Sequence, residues 1–132
     1  MITKNLRIGR WDVLFLFSGK EYEEEEVLTF LYDADAPFYV LKRVSDIMHS
    51  GDDDTGFTYT NQSIMKAVVV IGPSSSGDEF INTLVHEVHH LAVAIAANLG
   101  VDLEGEAPAD IAGDSARDLA GIICKLGCGV YE

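Results

Sequence analysis

Hydrophobic positions change period along the chain, and each change marks an element. Residues 6–17 are rich in β-branched and aromatic side chains, and Val13-Leu14-Phe15-Leu16-Phe17 is continuously apolar. That run predicts one central strand buried on both faces, ended by Ser18-Gly19. The period then lengthens. Val27, Phe30, Leu31 and Ala34 fall at three- and four-residue steps behind the acidic residues 21–26. This predicts a helix whose first turn carries negative charge, where the helix dipole favours it. Pro37 interrupts, and Val40, Leu41, Val44, Ile47 and Met48 resume the helical spacing to about Ser50.

Residues 51–56 are a loop by composition, and residues 57–60 and Lys66–Ile71 predict two short strands that pair as an antiparallel hairpin. Gly72-Pro73 ends the second. Ser76-Gly77-Asp78-Glu79 then matches the Ser-x-x-Glu capping box that opens a helix. Phe80, Leu84, Val88, Leu91 and Ile95 form its apolar stripe, and Gly100 stands where a glycine cap closes it. A last helix is expected from about residue 106 to 125, with Pro108 tolerated in its first turn and Ile111, Leu119, Ile122, Ile123 and Leu126 facing inward. With no repeat, low-complexity tract or linker, residues 1–132 read as a single α+β domain, a short mixed sheet packed against helices.

Composition changes that picture in one respect. Apolar residues at 48% and charged residues at 23% are ordinary, so the informative quantity is the balance of 9 Lys plus Arg against 22 Asp plus Glu, a net −13. So acidic a protein lacks the basic face that nucleic acid requires and is repelled by anionic membranes. It steers toward basic partners instead. No apolar run approaches the roughly 20 residues of a membrane span. The opening Met1-Ile2-Thr3-Lys4-Asn5 is not a signal peptide, so the expected compartment is the cytoplasm, with Cys124 and Cys128 reduced. These two read as small buried side chains at a helix end rather than a zinc site. Asp52, Asp53 and Asp54 lack the spacing of a calcium loop.

The chemistry concentrates on the long helix, in His86-Glu87-Val88-His89-His90. This is H-E-x-x-H. Four helical residues advance about 400°, so His86 and His90 lie on one face a turn apart and can grip one metal ion. Glu87 is rotated about 100° from His86 and can take a proton from a zinc-bound water. His89 points about 100° away from His90 and reads as a surface residue or as one behind the ligands rather than as a ligand. Thr83, Ala94 and Ala97 lie beside the histidines off the apolar stripe, leaving room for a metal and a ligand. A catalytic zinc needs a third protein ligand. Val93 and Ala96 stand where a metzincin carries its Gly and third His, which excludes that subclass. The carboxylates that follow are Asp102, Glu104, Glu106 and Asp110, and spacing alone leaves Glu104 and Glu106 open.

Glu106-Ala107-Pro108-Ala109-Asp110-Ile111-Ala112-Gly113 resembles the second motif of the gluzincins, the thermolysin-like metallopeptidases, E-A-x-x-D-I-x-G on a helix after the H-E-x-x-H helix. The resemblance spans about residues 83–113. It implies Zn²⁺ held by His86, His90 and Glu106, and Asp110 accepting from the free ring nitrogen of a zinc-bound histidine, His86 being the expected one. It implies a peptide or protein substrate, cleaved with Glu87 as general base. More loosely, the sequence resembles short zincin-like proteins of bacterial and phage origin. It departs from the large gluzincins in having only fifteen residues between His90 and Glu106 and no second lobe. Tyr59, Tyr131, His49 and Arg117 are the candidates for stabilising the tetrahedral intermediate. Zincin folds also lay substrate along an edge strand beside the metal, and either strand of the 57–71 hairpin can be that edge or an ordinary core strand. The expected function is a minimal zinc metallopeptidase; the rivals are an inactive zincin-like binding protein and a zinc hydrolase of a non-peptide amide or ester.

Overall fold

The computed structural model describes residues 1–128. The first apolar stretch is two strands rather than one, β1 (Ile2–Ile8) and β2 (Trp11–Phe17). Gly9 and Arg10 form a two-residue turn between paired Ile8 and Trp11, with Gly9 at φ +58°. A right-twisted two-residue hairpin needs positive φ at its first central position, and glycine takes it without strain. Helices α1 (Glu24–Asp33) and α2 (Phe38–His49) follow. Glu24, Glu25 and Glu26 occupy the first turn of α1, and Pro37 precedes the first turn of α2, where its missing N–H costs nothing.

The 57–71 hairpin forms as expected, from β3 (Gly56–Asn61) and β4 (Lys66–Ile71). The four strands take the order β1-β2-β4-β3, with β2 and β4 parallel and both hairpins antiparallel. The sheet is mixed and short, and the domain is α+β. β2 and β4 are interior; β3 is an edge.

Alternation along the two interior strands explains the layering. Val13, Phe15, Phe17, Val69 and Ile71 point to one face, where they pack with Phe80, Leu84, Leu91 and Ile95 of α3 (Gly77–Leu99). Leu16, Val68 and Val70 point to the other, against Val27 and Leu31 of α1 and Val44 and Met48 of α2. Both faces are covered, which is why β2 reads as an unbroken apolar run.

Ser76 caps α3, its hydroxyl accepting from the Glu79 N–H at 3.2 Å, and Gly100 ends the helix in the left-handed region at φ +70°. α3 is long and apolar enough to cross a membrane, contrary to the expectation that no segment is, but half of that stretch is buried. Its apolarity is that of a core helix.

The last helix is broken into α4 (Glu106–Asp118) and α5 (Ala120–Gly127). Leu119 at the junction is fully buried, and Ser115 bonds back to the Ile111 carbonyl at 2.7 Å, a contact that bends helices. Cys124 and Cys128 are free and exposed, not buried as expected. α5 turns its apolar residues Ile122, Ile123 and Leu126 to the core, which leaves Cys124 on the outer side.

Candidate functional site

β3 alternates between the two layers. Phe57 and Tyr59 pack toward α1 and α2. Thr58 faces α3 instead, and its hydroxyl lies 2.9 Å from Glu87 Oε1 and 3.2 Å from the Glu87 carbonyl oxygen. One hydroxyl hydrogen serves one of these at a time. Glu87 is only 5% exposed, the one buried carboxylate among the described residues. Burying a carboxylate is costly unless it is hydrogen-bonded, so Thr58 is part of what keeps Glu87 at this place.

The close approach of strand and helix depends on Gly56. A Cβ there would stand 2.9 Å from Thr83 Cγ2 and from the Val70 carbonyl oxygen, and 3.0 Å from Glu87 Cγ. Thr83 is itself buried, and its hydroxyl donates to the Asp54 carbonyl. The wall behind Glu87 is thus a glycine and two threonines.

His86 and His90 stand beside it, as the one-turn spacing predicts. Their Nε2 atoms are 3.1 Å apart, and His86 Nε2 is 4.0 Å from Glu87 Oε2. Two nitrogens on a tetrahedral zinc, each about 2.0–2.1 Å from the ion, lie about 3.3 Å apart. The two ring nitrogens are thus close enough to share one hydrogen bond, between a donor and an acceptor tautomer, or one cation. His89 leaves this face and lines the opposite flank of the helix.

Glu106 and Asp110 are not brought to the histidines. Both are exposed on α4, and neither makes a hydrogen bond or ion pair among the described residues. Gly105, Pro108 and Ala109 of that segment line a cavity with Val85, Val88, His89 and Ala92, on the other flank of α3. No group of three His, Cys, Asp or Glu side chains is assembled for a metal among the described residues. Glu104 is exposed too, its N–H bonded to Asp102 Oδ1.

His86, Glu87 and His90 open into a groove of about 530 Å³ that follows β3 from Gly56 to Thr60. Its second wall is α2, through Tyr39, Val40, Arg43, Val44 and Ile47. The volume falls within the range of ligand sites. The groove runs along the sheet's open edge, where a strand presents unpaired N–H and C=O groups.

Of the four candidate stabilising groups, only Tyr59 is here. Burial pushes its phenol above the ordinary value, so it stays a neutral O–H donor, directed at the Asp35 carbonyl at 3.3 Å. His49 is tied to Glu24 at 2.6 Å, away from the groove. Arg117 pairs with Asp114 and Asp118 on α4. Tyr131 lies outside the described residues.

Thr58, Gly56 and Arg43 were not among the expected site residues. The period-2 alternation of Gly56-Phe57-Thr58-Tyr59-Thr60 carries a signal for the first two; Arg43 has none, because only the packing of α2 beside β3 places it. The sequence and fold match no protein-family model, no curated protein and no solved structure.

Proposed function

We propose that this protein is a minimal zincin-like, zinc-dependent hydrolase of peptide bonds. The observation that carries the reading is the buried Glu87, held by Thr58 beside two convergent histidines at the rim of a groove along an edge strand. His86 and His90 would hold Zn²⁺ through their two ring nitrogens. The motif likeness would make Glu106 the third ligand and Asp110 the orienting partner of a histidine, and for that α4 would have to bring them to the histidine face, where they do not stand here. Zinc, when bound, polarises the scissile carbonyl and acidifies water.

The protein's own residues do the rest. The β3 edge aligns an extended peptide by main-chain hydrogen bonds, as an added strand. Glu87 Oε2 accepts the proton of the attacking water and passes it to the leaving amine nitrogen. Thr58, on Oε1, keeps the carboxylate turned toward the histidines. The net charge suits action without nucleic acid or an anionic membrane, and the cytoplasm is the compartment inferred from the sequence.

A second reading, a peptide-binding protein that keeps the fold without hydrolysis, is favoured by the position of Glu106 outside the histidine cluster. One experiment separates the two. Zinc-reconstituted protein is assayed for metal content and for cleavage of a peptide library, beside Glu87→Gln. Glu87→Gln is expected to retain zinc and to lose about a hundredfold to ten-thousandfold in cleavage rate. Equal cleavage by both proteins overturns the catalytic role of Glu87. Peptide binding with no cleavage by the wild type establishes the second reading.

A further inference from the structure

The groove has a charge pattern that the net −13 conceals. Among the described residues that line it, Glu87 is the one acid and Arg43 the one Lys or Arg. Glu87 is occupied by Thr58. Arg43 is exposed and makes no ion pair or hydrogen bond among the described residues, although acids outnumber bases 22 to 9 in the sequence. Asp46, one turn further along α2, does not pair with it.

The position of Arg43 on α2 is set by the packing of the helix. Tyr39, Val40, Arg43, Val44 and Ile47 follow one another at helical steps on one face of α2. Val44 is buried in the core beneath the sheet and anchors that face. Arg43 thus lines the α2 wall of the groove that His86, Glu87 and His90 line from α3, with Tyr39 and Tyr59 also in the lining. A planar guanidinium with a fork of donors matches a carboxylate bidentately.

We propose that Arg43 is a specificity-determining residue that binds a carboxylate of the substrate, so that this groove selects peptides carrying a free carboxylate near the scissile bond. The proposal rests on the groove being the substrate site. The carboxylate has two sources, the free C-terminus of a peptide or an Asp or Glu side group within it. Long-range attraction of basic peptides to the acidic surface is a separate effect, because it fades with salt over the Debye length, about 8 Å at physiological ionic strength.

The test uses three peptides with an uncharged N-terminal dansyl label that differ only at the last residue: Leu-Ala-Phe-Gln with a free C-terminus, its C-terminal amide, and the Leu-Ala-Phe-Glu amide. Binding is read by anisotropy and cleavage by chromatography, on the zinc-loaded wild type, Arg43→Gln and Arg43→Lys. The wild type is expected to prefer one carboxylate peptide over the neutral amide by about tenfold, in affinity and in KM rather than kcat. The preferred arm identifies the carboxylate's source. Arg43→Gln brings the ratio near one, and Arg43→Lys, which keeps the charge and loses the fork, restores part of it. A wild-type ratio near one in both readouts, no binding of any of the three peptides, or an unchanged ratio in Arg43→Gln overturns the proposal. Cleavage without carboxylate preference leaves the hydrolase reading standing while this one falls. Carboxylate-selective binding without cleavage does the reverse.

Discussion

The two flanks of α3 are built differently. On the flank facing β3, contacts are short and polar: Thr58 on Glu87, Thr83 on Asp54, and a glycine where no Cβ fits. On the flank facing α4, a cavity of about 500 Å³ lies among small and apolar side chains, Ala92, Ala109, Ala112 and Pro108 among them, and Val85 is 62% exposed beside it. His86, Glu87 and His90 of the H-E-x-x-H sequence belong to the tight flank. Glu106 and Asp110 belong to the helix that packs on the loose one. Residues that helical spacing puts on one face, His86 and His90, are together, the strand contact adds Glu87, and Glu106 and Asp110, which only the packing of α4 could add, are apart.

The strongest way to break this contrast is to ask whether α4 serves the metal. Glu106→Ala is expected to lower zinc affinity by at least about a hundredfold in a competitive chelator titration, beyond what loss of a mere orienting partner costs. Glu104→Ala is expected to leave it within about twofold, as an exposed residue outside the ligand set does. Equal affinity of Glu106→Ala and the wild type would separate the two flanks functionally and remove Glu106 from the ligand set.

The tight flank can be tested with a single methyl. In Gly56→Ala the new carbon meets the Val70 carbonyl oxygen at 2.9 Å, a backbone atom that cannot turn aside. β3 must part from β4, and from Thr83 and Glu87 of α3, by a few tenths of an ångström. Overpacking of this kind costs about 1–3 kcal/mol, measured by urea denaturation. The Thr58–Glu87 contact lengthens with it, and cleavage is expected to fall about tenfold at full zinc occupancy, since small misplacements of reacting groups are costly. Wild-type stability together with wild-type cleavage would show that the contact is not tight in solution.

How much of this was legible in the sequence follows the same division. α3 was readable from end to end because its signals are local: a capping box at Ser76, an apolar stripe and a glycine at position 100. The one-turn spacing of His86 and His90 is a property of any helix. The break at Leu119 was hidden, because a buried leucine keeps the helical period through the bend. The β1–β2 turn was hidden inside an apolar run, marked only by Gly9. Neither the placement of α4 on the far flank nor that of Arg43 across the groove has a local signal. Both depend on how helices pack over a sheet whose strand order, β1-β2-β4-β3, is not a sequence pattern.

The smallest effect sharpens the contrast from the loose side. Ala112 is half-buried, packs on the core and lines the α3–α4 cavity. Ala112→Leu adds three carbons to a space already open, beside Val85, Val88 and Ala92, where Gly56→Ala adds one to a space already full. Filling an apolar cavity commonly adds about 0.5–2 kcal/mol of stability, and leucine is almost as good a helix former as alanine. Ala112→Leu is therefore expected to raise the denaturation midpoint slightly, with zinc affinity and cleavage unchanged, because the substitution faces away from His86 and His90. A loss of stability would show that α4 already sits closely on α3, and a loss of zinc affinity would show that the two flanks are coupled through its position. The sign of this one small change thus reports whether the cavity is room to spare or a part of the site.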